Sequence, residues 1–210
     1  MTKKYEITDI THPDFPQLRR IRALRDIPFI GVKAGDLGGW VEGEHNLDHD
    51  GNAWVGDEAR VSDWAQVYGT ALVTGSARVY GSARVSDWAQ VTGSARVYGS
   101  ARVYGSAQVF DWARVAGSAQ VSDWAIVQSS EDIMHSMVLA SDQHSATLHR
   151  TTDGHLLTVG CWHGTVPEFR TMIESDTWVE ATPDQIELRR PELLAFTTMC
   201  EARIATWEQP

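Results

Sequence analysis

Alanine stands at position 53 and at every sixth position through 125, and valine at 55 and every sixth position through 127, thirteen of each without slippage. A period this strict specifies one small structural unit copied along the chain. Within each unit Ala and Val are two residues apart. In an extended segment both therefore point to one side, while the residues between and after them point to the other. Each unit is completed by Gly or Asp and then, in most copies, Ser, Thr or Trp, a pair suited to a corner. Short strand, corner, short strand describes a β-helix in which each hexad forms one flat side.

The unit Val-x-(Gly or Asp)-(Ser or Trp)-Ala-x resembles the hexapeptide repeat of left-handed parallel β-helix proteins. That likeness implies coils of three hexads, or 18 residues. More narrowly, residues 18–61, with "LRRIRAL" and "GVKAGDLGGWVEGEHNLDHDGNAWVGDEARV", resemble the YdcK-like hexapeptide proteins of bacteria and prophages. The resemblance covers residues 18–127. With Val41 and Leu47 read as a backward extension of the alanine register, fifteen hexads make about five coils. Such a column is about 24 Å tall at ~4.8 Å per coil.

A second period competes with 18. Asp-Trp pairs at 63–64, 87–88, 111–112 and 123–124 are separated by 24, 24 and 12 residues, and "VSDWAQV" recurs after 24. Sorting the residue after each alanine every 18 positions decides between them. One column reads Arg60, Arg78, Arg96, Arg114; the next Gln66, Arg84, Arg102, Gln120; the third Leu72, Gln90, Gln108, Ile126. Sorted every 24, arginine scatters. The chain reads as copied in units of four hexads and tuned in coils of three.

A core of Ala and Val alone is thin, so ladder hydrogen bonds must carry much of the stability. Both open ends of the column need covering. Residues 1–52 are expected to form a β-rich N-terminal cap, with "KKYEITDI" and "LRRIRAL" as strands and Gly31, Gly35, Gly38 and Gly39 as turn markers. Residues 53–130 form the β-helix, and 131–210 a small α+β domain. In that domain "ATLHRTTDGHLLTVGC" reads as a hairpin turning at Asp153-Gly154, with Leu148, Leu157, Val159 and Cys161 on one face. Thr165 and Thr182 mark helix starts, and Pro191 is expected to begin the last helix.

The formal net charge is −10, with 13 acids against 5 bases in residues 128–210. That balance disfavours nucleic acid and anionic membrane as partners. The two cysteines, Cys161 and Cys200, lack metal-type spacing and read as reduced thiols. With no apolar signal core and no 18-residue apolar run, the expected setting is the cytoplasm.

Residue chemistry leaves three functional readings open. Arg60, Arg78, Arg96 and Arg114, with Tyr80 and Tyr98 beside them, could form a wall for an anionic ligand or an acidic protein surface. Corner acids such as Asp57, Asp63, Asp87 and Asp111, or the acidic tail, could instead screen that wall. The best-known hexapeptide proteins are acyl-CoA-dependent acyltransferases with a histidine base, yet residues 53–127 contain no histidine. His45 and His49 are the weak candidates, and no residue stands out as catalytic. His149, His155, Cys161 and His163 carry metal donors, but the hairpin puts His149 opposite His155 and Cys161, so no metal and no cofactor is expected. The four corner tryptophans form no single stripe, which argues against a platform for single-stranded nucleic acid. The family resemblance implies a homotrimer. The favoured reading is a non-enzymatic scaffold of phage or prophage type that binds a host or defence-system protein.

Overall fold

The computed structural model describes residues 3–137, 145–175, 178 and 182–208. An antiparallel sheet of β1 (Tyr5–Thr11), β2 (Arg19–Ala23) and β3 (Leu37–Val41) leads into a parallel β-solenoid of about five coils. Each hexad contributes one two-residue strand, and the strands stack into three walls. The arginine wall continues from β3 through β5 (Arg60–Val61), β8 (Arg78–Val79), β11 (Arg96–Val97) and β14 (Arg114–Val115). The second wall stacks β6 (Gln66–Val67), β9 (Arg84–Val85), β12 (Arg102–Val103) and β15 (Gln120–Val121). The third holds β4 (Trp54–Val55), β7 (Leu72–Val73), β10 (Gln90–Val91), β13 (Gln108–Val109) and β16 (Ile126–Val127). From β4 onward, paired residues lie 18 positions apart, as in Arg78 with Arg96 and Arg84 with Arg102. All thirteen repeat alanines and all thirteen repeat valines are buried inside the column.

The corners explain the choice of Gly or Asp. The first corner residue of every unit has a left-handed backbone, with φ of 52–58° at five aspartates and 65–74° at eight glycines. Gly adopts that conformation freely, and Asp is among the few other residues that tolerate it. The Asp side chain also bonds forward. Asp57, Asp63 and Asp87 accept the N–H of Gly75, Gly81 and Gly105, each one coil on, at 2.9, 2.9 and 3.1 Å.

Two expectations for the N-terminal segment are corrected. Val41 pairs with Val61 and Leu47 bridges Val67, so both take valine places and pair 20 positions on. The loop at 48–52 holds the two additional residues, which is why counting back in sixes gives the alanine register. Gly38 and Gly39 lie inside β3, not at turns. A Cβ on Gly38 would sit 2.6 Å from Ile21 and Trp54, and one on Gly39 2.6 Å from the Ala59 carbonyl. Both are glycine because the cap packs backbone-close on the first coil.

The ladder is polar along the column, since each inter-coil bond runs from an N–H to a carbonyl of the next coil, as from Arg78 to Ala95 and from Arg84 to Ala101. The N-terminal end therefore presents carbonyls and the C-terminal end presents N–H groups. The N-terminal cap supplies donors. Buried Lys4 donates from Nζ to the Ala53 carbonyl at 2.7 Å, the Tyr5 hydroxyl to Leu47 at 2.7 Å, and Asn46 Nδ2 to Ala65 at 2.9 Å. Burial lowers the Lys4 pKa to about 8.

The C-terminal part supplies acceptors. β17 (Ile133–Met137), β18 (Ser145–Thr151), β19 (Gly154–Val159) and β20 (Trp162–Gly164) form an antiparallel sheet. One face packs on α1 (Val166–Glu174) and α2 (Pro183–Trp207) through Leu148, Leu157, Phe169, Ile173 and Phe196. The other face covers the end of the solenoid. There Thr147 Oγ1 accepts the Gln120 N–H at 3.0 Å and His149 Nε2 accepts that of Ser122 at 3.4 Å. On the third wall Asp132 Oδ2 accepts the Gln128 and Ser129 N–H groups at 3.0 and 2.9 Å.

Three readings of this region change. Thr151 pairs with Gly154, so the hairpin turns at Thr152-Asp153, one residue earlier than expected. Cys161 is exposed because the chain reverses at Gly160, φ 59°, before the strand can reach it. Pro191 lies inside α2, which starts at Pro183 with Thr182 as its cap. An internal proline costs about 3 kcal/mol. Buried Ile186 before it and Leu193 and Phe196 after it hold the helix continuous.

His149 yields a pH prediction. It is fully buried, and burial lowers its pKa from 6.5 to about 4, which keeps Nε2 free to accept. The unfolded chain takes up this proton near the ordinary value, so the contribution is complete above that pH and is lost as pH falls towards 4, on the order of 3 kcal/mol in all. In urea melts between pH 7 and 4, the His149→Gln variant should lose less stability than the wild type. Equal losses would remove His149 as the titrating group.

Candidate anion-binding walls

The outward residues follow from the two-residue period, because inward Ala and Val leave the intervening positions to solvent. Arg60, Arg78, Arg96 and Arg114 are direct register partners up the arginine wall. Tyr80 and Tyr98 lie in the adjacent column on the same wall, their rings stacked at 5.0 Å and 2°. The loop before β2 folds over the top rung, setting the Phe15 ring 4.6 Å from the Arg60 guanidinium carbon. Phe15, Arg60, Arg78, Tyr80 and Arg96 together line a cleft of about 210 Å³.

The corner acids make no direct ion pair with this wall among the described residues. Among the described residues none of the four arginines forms an ion pair, and the Arg60 Nε atom is buried without a hydrogen-bond partner. Asp57, Asp63 and Asp87 are committed to backbone N–H groups, and Asp111 accepts the Gln128 side-chain amide at 2.8 Å. Glu58, at the top corner, binds Arg20 at 2.7 Å and the Trp40 indole at 2.9 Å. The Arg78 pKa is lowered by burial first, then by Arg60 and Arg96. The wall is a column of like charges held in register by the fold, with no ion-paired carboxylate among the described residues.

The histidine candidates both belong to the N-terminal cap. His45 Nε2 donates to the Asp63 carbonyl at 2.6 Å, its ring beside Trp64. His49 stacks on Tyr5 at 4.3 Å and accepts the Lys4 N–H through Nδ1 at 3.3 Å. Both rings are engaged in packing the cap on the first coil.

His149 faces the solenoid, whereas His155 Nε2 accepts the Val166 N–H at 3.0 Å on the helix side. Among the described residues no three His, Cys, Asp or Glu side chains gather at metal-binding distance. Burial raises the thiol pKa of Cys200 to about 12. No helix among the described residues is long and apolar enough to cross a membrane.

The remaining walls differ in chemistry. Along the third wall the outward residues Trp54, Leu72, Gln90, Gln108 and Ile126 carry no charge, and Trp88 and Trp124 stand exposed at its edge, 55% and 63%. The second wall carries Arg84 and Arg102 as partners, with Tyr68, Ser86 and Tyr104 in the adjacent column. Composition and motif searching pass over this group. Its signal lies in the residue after each valine, sorted every 18 positions.

A scan of protein-family models and a search of curated proteins each return no match for this chain.

Stacked guanidinium groups ~4.8 Å apart repel by about 0.9 kcal/mol per neighbour even at water's dielectric, and salt weakens this. Arg78→Gln should therefore raise the melting temperature at low ionic strength, with the gain shrinking as salt is added. A destabilised variant, or a gain indifferent to salt, would mean that other contacts of Arg78 outweigh the repulsion.

Proposed function

We propose that this chain is a non-enzymatic interaction scaffold whose arginine wall receives an acidic protein surface. The observation that carries the reading is the column Arg60–Arg78–Arg96–Arg114, held in register with no ion-paired carboxylate among the described residues. A column that repels itself stabilises the complex when an acidic partner covers it, because the partner supplies the missing counter-charge. Four rungs rise through about 14 Å at the usual strand spacing, longer than a small anion can bridge. That length favours a protein surface over a small ligand on this wall.

Finer features of the proposal rest on the resemblance of the repeat. The solenoid is taken as a left-handed β-helix of the hexapeptide kind, working in the cytoplasm, and the partner as a host or defence-system protein blocked or sequestered by a phage-type protein. Assembly as a homotrimer is part of the same reading, and the uncharged third wall is its natural contact, since interface cores are depleted of charge.

Light scattering should return three times the mass of the 23.3 kDa chain. Gln90→Glu/Gln108→Glu, which stacks two carboxylates within that wall, should dissociate it. A monomeric wild type would overturn the trimer.

For the arginine wall, a partner captured from host lysate should be acidic, should elute as salt rises, and should be lost with Arg78→Glu/Arg96→Glu. Retention of that partner on the folded double variant would remove the wall from the interface.

A further inference from the structure

The Tyr80–Tyr98 pair shows what adjacent aromatic residues do on this scaffold: one coil apart, they stack on each other at 5.0 Å. On the second wall the equivalent column reads Tyr68, Ser86, Tyr104, with backbones stepping one coil at a time. The Tyr68 N–H donates to Val85, that of Ser86 to Val103, and that of Tyr104 to Val121. The two tyrosines are therefore two coils apart, about 10 Å, with a serine where the middle ring would be. Among the described residues neither ring stacks on another aromatic ring. The column lacks one ring, and a planar group inserted there would lie about 5 Å from each neighbour, within the range of offset stacking.

Charge gives this slot a direction. Arg84 and Arg102 stand in the column on one side of it, paired in register, and no ion pair among the described residues involves either. On the other side, at the corner, stands Asp87, whose Oδ2 accepts the Ser86 hydroxyl at 3.2 Å and the Gly105 N–H at 3.1 Å. Those bonds leave the other carboxylate oxygen as an acceptor. All six side chains line a single cleft of about 300 Å³.

We infer that the second wall carries a binding site for an aromatic ring bearing an anionic group, of the nucleoside monophosphate class. The ring lies between Tyr68 and Tyr104 above Ser86. The phosphate meets Arg84 and Arg102, and a ring amino group faces Asp87. The site is independent of the acidic partner proposed for the arginine wall, and neither proposal needs the other.

Calorimetric titration of the intact chain with adenosine 5′-monophosphate tests it. Saturable binding at up to millimolar ligand is expected, with adenosine or inorganic phosphate alone at least about tenfold weaker, because each keeps only half of the contacts. Ser86→Tyr supplies the missing ring from the protein itself, in the coil-to-coil stacking that Tyr80 and Tyr98 already show, and should abolish binding. Arg84→Gln/Arg102→Gln should reduce the affinity to that of adenosine. If Ser86→Tyr fails to fold, Tyr68→Ala/Tyr104→Ala serves instead, with the same loss expected. No saturable binding of the monophosphate, phosphate binding as tightly as the nucleotide, or undiminished binding to a folded slot variant would each overturn the site.

Discussion

A parallel ladder has a direction, and the rest of this molecule answers to it. Each strand gives its N–H groups to the next coil, so one end of the column is left with acceptors and the other with donors. Water could satisfy either end, but an open strand edge also invites another strand. The chain closes both ends with side chains of opposite character. Lys4, Tyr5 and Asn46 bring N–H and O–H groups to the first coil. Thr147, His149 and Asp132 bring oxygen and nitrogen lone pairs to the last. This is helix capping transposed to a solenoid. It explains two otherwise costly burials, a lysine and a histidine, each held where its hydrogen-bonding role is fixed by the ladder's direction.

Between the caps the interior asks for nothing but Ala and Val, which frees every outward position. The three walls consequently differ in kind while sharing one backbone. One carries four arginines in register that form no ion pair among the described residues, one is uncharged, and one sets a pair of arginines between two glutamines beside an interrupted aromatic column. Unpaired like charges in register work against the stability of the isolated chain. Such a surface gains when an acidic partner covers it, which is the ground of the proposed interaction.

The solenoid was legible because its rule is local. The inward pair, the corner and the sorting of arginine into one column every 18 residues all follow from counting, and the register partners Arg60, Arg78, Arg96 and Arg114 stand where counting puts them. The caps were less legible because their geometry answers to neighbours distant in sequence. Two additional residues at 48–52 shift Val41 and Leu47 by one inward place. Close packing on the first coil, not a turn, accounts for Gly38 and Gly39, and contacts on both sides of Pro191 override its habit of starting helices. The candidate wall was found by its charge, but the commitment of the corner carboxylates to backbone N–H groups is a matter of side-chain direction that spacing alone does not carry. The Tyr68–Ser86–Tyr104 column was within reach of the same sorting, yet a missing ring means something only beside a filled one.

The offset between the two periods has a consequence for how such a chain can grow. Duplicating whole coils would set every copied aspartate directly beneath its twin, building rows of like charge at each corner and rows of tryptophan beside them. Duplicating four hexads turns each copy by one side, so identical text is read out in three directions. In this chain every corner aspartate with a corner residue one coil on at positions 57–87 meets glycine there, whose N–H it can bind. A copying error of the right size thus generates variety without invention: a monotonous gene yields a prism with three unlike sides, and selection need adjust only the letters that face out.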